Sequence, residues 1–328
     1  MNNNIRVYAV GGSGINIVSQ FETTGTRDAD YAKLNCCYID SSMSNLKNQK
    51  LPEDKIFLFE EKDGAGKIRS SIAEDASKQV ATILQKFQPY EFNIIVHSGS
   101  GGTGSVCGPT IVSELKKRGI QCIVLMVGST NSSLEIQNTF RTLETYDNIS
   151  RVRNSSTVLY YHDNSQGRSE ADKSIAYVIS MLTGLCSGSH AELDSADIKS
   201  WLNYSTSVTP VPTISSLSIV TNKEEMKQLT KVVSVATLAT PSMDTLVEPR
   251  PAYQAVGYVP SSWLSNQVKI IGDEPIHFVL NFDLLSGVYQ NLKKEVERIN
   301  SEITAQTLAN SSFTIDSNAT TTNDGLVL

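Results

Sequence analysis

The sequence predicts an α/β protein: a parallel sheet with helices on both faces, a long connecting helix, a smaller α+β second domain, and a long C-terminal helix ending in a flexible tail. Three observations predict it. Apolar runs of strand length alternate with helical stripes through the first half of the chain, glycine-rich turns follow directly on two of those runs, and beyond residue 186 strand-like runs recur with few helices between them. Such alternation suits a parallel sheet, because each crossover must carry the chain back to the same end of the sheet and the returning helix covers a face. At 328 residues and 40% hydrophobic content the chain can bury a sizeable core and is long enough for two domains.

Ile5 to Val10 reads as a short buried strand running into Gly11-Gly12-Ser13-Gly14, after which Ile15 to Gln20 begins a helix. A second strand, Leu34 to Ile39, ends at Asp40 and Ser41. A short apolar piece at Ile56 to Phe59 precedes the turn Asp63-Gly64-Ala65-Gly66. From Ile68 to Phe87 the spacing is helical, with Ile68, Ile72, Ala76, Val80 and Ile83 or Leu84 on one stripe. Phe92 to Val96 is again of strand length and leads into Ser98 to Ser105. Then follow a helix near Pro109 to Lys117, a strand at Gln121 to Val127, a helix at Leu134 to Val152, a strand at Thr157 to Tyr161 and a long helix at Glu170 to Leu185. Strands are expected near Ile214 to Thr221, Val232 to Ala239, Tyr253 to Val259 and Ile276 to Phe282. A last amphipathic helix spans Leu284 to Ala309, and residues 310–328, rich in Ser, Thr and Asn, read as the tail.

Composition narrows the function classes. The net charge is −6, and there is no block of Lys and Arg to neutralise a phosphate backbone, so nucleic acid is not expected as a direct partner. No run approaches the roughly 18 apolar residues of a membrane span, and the opening Met-Asn-Asn-Asn-Ile-Arg-Val lacks the apolar region of a signal peptide. The cytoplasm is the expected compartment. Cys36, Cys37, Cys107, Cys122 and Cys186 fit neither a zinc ribbon nor a disulfide framework and read as buried small hydrophobes. His97, His162, His190 and His277 have no common metal-binding spacing, and Trp201 and Trp263 read as packing residues.

A glycine turn between strand and helix brings backbone N–H groups close to an anion, and the helix N-terminus adds a partial positive charge. For a dinucleotide fingerprint, Gly12-Ser13-Gly14 would need a small residue where Ile17 stands, although Asp40 sits where a ribose-binding acid would. A Walker loop fails because Ser105 replaces the lysine after Gly104, and because Gly66-Lys67 is followed by Ile68. Ser98 to Ser105 holds four glycines in eight residues. Such density disfavours an ordinary turn, since glycine loses backbone entropy on folding without adding packing.

Ser100-Gly101-Gly102-Thr103-Gly104-Ser105 matches the tubulin signature G-G-T-G-[ST], and Gly11 to Asn16 looks like the first phosphate loop of the same superfamily. The chain thus resembles the tubulin/FtsZ superfamily. Asn164 to Ser169, Ile276 to Asn281 and Asp324 to Leu328 are closer still to the phage-encoded tubulin-like proteins of the PhuZ family. That resemblance implies a GTPase domain at 1–169, a connecting helix at 170–186, a second (activation) domain at 187–283, a C-terminal helix at 284–309 and a subunit-contact tail at 310–328.

It also implies roles. Gly11, Gly12, Ser13, Gly14 and Asn16 would line the inner phosphates of GTP or GDP, with Ser100, Gly101, Gly102, Thr103, Gly104 and Ser105 on the opposite side. Gly64, Ala65 and Gly66 match the loop that senses the terminal phosphate, with Asp40 and Ser41 beside it. Asn164 and Asp172 fall where guanine is read. Nothing in these loops supplies a general base; the superfamily borrows acids from the next subunit, which here are Asp194 and Asp197, with Glu192 standing where Asn is usual. The spacing of these two acids also fits a helix N-cap and first turn.

The implied protein is an assembly-activated GTPase that polymerises head to tail into filaments, its tail Asp324 to Leu328 docking on a neighbour. Phage DNA, its replication compartment or capsids would be the cargo. Mg²⁺ is the expected metal, bridging phosphate oxygens. A plasmid-segregation or division filament and a non-hydrolysing scaffold are the alternatives within the superfamily; a Rossmann oxidoreductase is the alternative outside it.

Overall fold

Strand β4 (Phe92–Ser98) is buried along nearly its whole length, as a central strand covered on both faces must be. Around it the computed structural model, which describes residues 4–23, 31–47, 49–60, 62–206, 212–261, 264 and 274–310, builds one ten-stranded sheet. The chain runs β1 (Asn4–Val10), α1 (Gly11–Thr23), β2 (Lys33–Asp40), α2 (Met43–Lys47), β3 (Ile56–Leu58), α3 (Ser70–Lys86) and β4. It continues through α4 (Thr103–Lys117), β5 (Ile123–Gly128), α5 (Ser133–Val152), β6 (Thr157–Asp163) and α6 (Arg168–Leu185). The remainder is α7 (Ser195–Leu202), β7 (Ile214–Val220), α8 (Lys223–Gln228), β8 (Val232–Ala239), β9 (Tyr253–Tyr258), β10 (Ile276–Asn281) and α9 (Asp283–Asn310).

Spatial order is β3-β2-β1-β4-β5-β6-β7-β10-β8-β9. The strands from β3 to β7 are parallel, whereas β10 runs antiparallel to both β7 and β8. The strands beyond residue 186 therefore extend the first sheet. They join it through a short parallel seam, Thr157 to Leu159 of β6 on Ile214 to Ser216 of β7.

Alternation along β1 assigns the faces. Ile5, Val7 and Ala9 pack with α1, α6 and α7, through Ile15, Val18, Ile175, Val178 and Trp201. Tyr8 and Val10 pack with α3, α4, α5 and α9, through Ile72, Ile111, Leu143 and Leu292. Helices thus cover both faces. On the second face α9 lies along α5, where the Phe140 and Tyr289 rings stack 5.0 Å apart. All five cysteines and Trp201 are buried. Trp263 and the tail contact expected of Asp324 to Leu328 lie outside the described residues. Among the described residues no helix is long and apolar enough to cross a membrane.

Several helix starts differ from the sequence reading; α1 begins at Gly11, four residues before the expected Ile15. Helix α3 begins at Ser70, so Ile68, expected on its buried stripe, is 55% exposed. Helix α4 begins at Thr103, six residues before Pro109, which lies inside it. An interior proline leaves the carbonyl four residues earlier without its helical donor. Here that carbonyl belongs to Ser105, and Arg69 Nη1 donates to it at 3.0 Å.

Candidate nucleotide site

The strand order reverses between β1 and β4, because β2 and β3 lie on one side of β1 while β4, β5 and β6 lie on the other. Open parallel sheets bind ligands at the carboxyl ends of strands at such a switch point. A cleft of about 670 Å³ opens there, floored by Val10, Ser98 and Val127 at the ends of β1, β4 and β5.

Two loops form its walls. Gly11 (φ +72°) opens α1, and a methyl group added to it would come within 3.0 Å of the Gly104 nitrogen, so the loops touch backbone to backbone. Across the cleft α4 starts at Thr103, presenting its unpaired first-turn N–H groups as an anion site. Gly11, Gly12, Ser13, Asn16, Gly101, Gly102, Thr103 and Gly104 all line the cleft, as does Ser100. The third wall is Gly64, Ala65 and Gly66. Gly64 donates its N–H to the Ser41 carbonyl at 2.8 Å, and Ala65 packs so closely on Gly102 that a Cβ there would lie 2.4 Å from the Ala65 methyl.

Gly14, Ser41 and Ser105, expected to contact nucleotide, stand behind these walls. A Cβ on Gly14 would sit 2.2 Å from the Val96 carbonyl, so this glycine lets α1 close onto β4. Ser41 is fully buried and its hydroxyl bonds that of Thr103 at 2.6 Å. The Ser105 hydroxyl turns back to the Gly101 carbonyl and, at 3.1 Å, to that of Gly102.

The acids and amides of the cleft are in definite states. Asp40 accepts from the Ser41 N–H and from Asn45 Nδ2, each at 2.7 Å. Burial raises its carboxyl above the usual range, against the pull of these bonds. Asp172 accepts from Asn16 Nδ2 at 2.8 Å; it is raised by burial, with Asn16 and Arg168 opposing. Asn164 lines the cleft with a buried side-chain oxygen, Oδ1, that has no hydrogen-bond partner in the protein. An orphaned buried acceptor beside an anion cradle fits a ligand that is anionic at one end and offers N–H donors at the other, as GTP does.

The sequence reading missed Asn45, Lys67, Glu135 and Arg168, which also line the cleft. Lys67 Nζ and Glu135 Oε1 pair at 2.6 Å. Glu135 also accepts from the Ser129 hydroxyl at 3.0 Å. Burial would raise its carboxyl, but Lys67, Ser129 and Ser132 together hold it below the ordinary range. Asn138 Nδ2 donates to the carbonyls of Lys67 (2.8 Å) and Ser100 (3.1 Å), tying the third wall to the second.

Asp194 and Asp197 do not line the cleft. They cap α7: the Asp194 carboxylate accepts from the N–H groups of Ala196 (2.8 Å) and Asp197 (3.0 Å), and Asp197 accepts from the Asp194 N–H at 3.1 Å. The N–H groups of Asp197 and Ala196 hold the Asp194 carboxyl below its usual range. Tyr253 donates its hydroxyl to Asp197 at 3.1 Å. Helix α7 is anchored at the starts of the central strands: Lys199 pairs with Glu91, just before β4, at 2.7 Å, and Gln121, just before β5, donates to Asn203 at 3.1 Å. The cleft lies at the other ends of those strands, roughly 20 Å away for a seven-residue strand.

Comparison with known proteins agrees with this geometry. The Tubulin/FtsZ family GTPase domain matches residues 4–168, and the C-terminal domain of the phage tubulin-like proteins matches residues 193–282. The chain is 28% identical to a phage tubulin-like protein of Pseudomonas phage PhiPA3, over 98% of each chain. It is 27% identical to one of Pseudomonas phage phiKZ, over 98% of this chain and 97% of that one. The solved protofilament of TubZ from Bacteriophage PhiKZ superposes with a TM-score of 0.82 at 25% identity, covering 99% of both chains. With the GTPase domain matched from β1 to the start of α6, and the cleft formed by the loops of that same stretch, the chain belongs to the tubulin/FtsZ family.

Proposed function

We propose that this chain binds GTP in the cleft, hydrolyses it, and assembles head to tail into filaments, each active site being completed by the next subunit. One observation carries the proposal: the polyphosphate cradle and the exposed end of α7 lie at opposite ends of the same strands. An anion cradle at one end of the strands and an exposed pair of acids at the other can meet only between molecules. Such a heterologous contact repeats into an open filament rather than closing a dimer. The solved protofilament of the PhiKZ protein supports this reading.

In this scheme Gly11 to Ser13 and Gly101 to Gly104 hold the inner phosphates with backbone N–H groups, and Gly64 to Gly66 meet the terminal one. Asn164 accepts from the guanine edge, and Asp172, braced by Asn16, stands beside it. Asp194 and Asp197 of the neighbouring subunit polarise a water in line with the terminal phosphate. Among the described residues no group of three or more His, Cys, Asp and Glu gathers as a metal site. Mg²⁺ would therefore travel with the nucleotide, held mainly by phosphate oxygens and water. The tail Asp324 to Leu328 docks on a neighbour, the filaments run through the cytoplasm of an infected bacterium, and phage DNA compartments or capsids are the cargo.

The test measures phosphate release from GTP, with ATP as control, across a protein concentration series while light scattering is followed in the same cuvette. GTP-selective turnover rising together with scattering above a threshold is expected. Turnover that is linear in protein and free of scattering refutes the shared active site. Removing Gly325 to Leu328 is expected to raise the threshold while leaving GTP binding intact.

A further inference from the structure

We infer that the Lys67–Glu135 ion pair on the rim of the cleft sets the preference of the site for GTP over GDP, with Lys67 acting as a movable counter-charge for the terminal phosphate. The inference rests on the GTP reading above and adds to it a pair of residues that sequence motifs do not reveal.

Four features carry it. Both side chains line the cleft, so a carboxylate faces a cavity whose other walls are built to attract anions. Glu135 is only 7% exposed and fixed by Ser129, whereas Lys67 is 51% exposed. The acid is therefore the fixed partner and the cation the mobile one. The Lys67 backbone nitrogen lies 3.3 Å from where a Cβ on Gly102 would stand, which puts the root of the Lys67 side chain beside the α4 N-terminus, at the edge of the diphosphate cradle. Finally, Asn138 holds the Lys67 carbonyl, so the backbone stays in place while the side chain turns.

An ammonium has three donors and can serve Glu135 and a phosphate oxygen together. With a diphosphate bound, Lys67 stays wholly on Glu135. When a third phosphate arrives it is drawn onto that phosphate, and without it the triphosphate would face the bare Glu135 carboxylate. Charge pairs at such partly exposed sites contribute about 1 kcal/mol, close to a fivefold change in affinity.

The experiment compares dissociation constants of fluorescent GTP and GDP for the nucleotide-stripped full chain, below the concentration at which scattering begins. Lys67→Met is expected to lower the GTP-to-GDP affinity ratio about fivefold with GDP binding retained. Glu135→Gln, which removes both the tether and the repulsion, is expected to raise the ratio severalfold, and Lys67→Arg to keep it. Opposite shifts from Lys67→Met and Glu135→Gln are the signature, since a merely structural pair would weaken both nucleotides in both variants. Ratios that stay put, or move the same way, overturn the inference while leaving the GTP site standing. If the wild-type chain binds neither nucleotide, the GTP reading fails and this inference falls with it.

Discussion

Asn164→Ala should act with opposite signs on the empty and the occupied protein. In the nucleotide-free chain the Asn164 Oδ1 is buried without a donor. Such a group destabilises the fold by about 1–3 kcal/mol relative to a satisfied one. The loop itself is held by main-chain bonds that alanine keeps, Asn164 N–H to Gly128 at 3.3 Å and Gly167 N–H to Asn164 at 2.9 Å. Removing the amide thus relieves the orphan, less some lost packing, and the nucleotide-free melting temperature should hold or rise by about 2 °C. On the proposed guanine contact the same oxygen would gain N–H donors from the base, and losing that contact should weaken binding by about 10- to 100-fold. Differential scanning fluorimetry without nucleotide and a fluorescent-GTP titration give the two numbers. A variant that melts several degrees lower yet binds GTP normally would refute the assignment and make Asn164 a structural loop residue.

Gly14→Ala and Gly101→Ala should separate packing from binding. The first drives a methyl group into the Val96 carbonyl and should lower stability by about 1–3 kcal/mol in a denaturant melt, whereas the second meets nothing within 4 Å and should spare the melt but weaken GTP binding. Asp197→Ala should abolish GTP turnover while filaments persist longer in electron micrographs; unchanged turnover removes its catalytic assignment. Stability should fall on acidification from pH 6.5 towards 4. Burial lowers His97 and His277 to about 4, so the unfolded chain binds protons that the folded one refuses throughout that window. The fully buried His97 can add up to about 1.4 kcal/mol per pH unit to that slope. A pH series of melts on wild type and His97→Asn measures its share, and equal slopes would exclude it.

The glycine walls were legible in the sequence because their composition is itself the constraint. Four glycines after a buried strand have few uses besides a close backbone approach. What the motif could not distinguish was lining from backing: Gly14, Ser41 and Ser105 belong to the same loops, yet only three-dimensional contact reveals that they face strand and helix. Glu135 was hidden for a different reason. It reads as an ordinary first-turn acid capped by Ser132, and its neighbour Lys67 is 68 positions away in the chain. Asp194 and Asp197 carried two meanings from the start, a helix cap and a catalytic pair. Their capping geometry is now defined, and the Asp197→Ala turnover assay decides the other. The start of α4 was misjudged because Pro109 normally marks a helix's first turn.

That proline has an evolutionary consequence. Arg69 stands in for the N–H that Pro109 lacks and also donates to the Thr142 and Thr145 hydroxyls, so one guanidinium joins the entrance of α3 to α4 and α5. Losing Arg69 alone strands the Ser105 carbonyl. Replacing Pro109 alone does it no harm, because a carbonyl oxygen has two lone pairs and can accept from both the helical N–H and the guanidinium. Loss of Arg69 is therefore tolerated best once Pro109 has gone, and relatives of this chain that lack the arginine should lack the proline as well, the order of the two changes being fixed by one carbonyl.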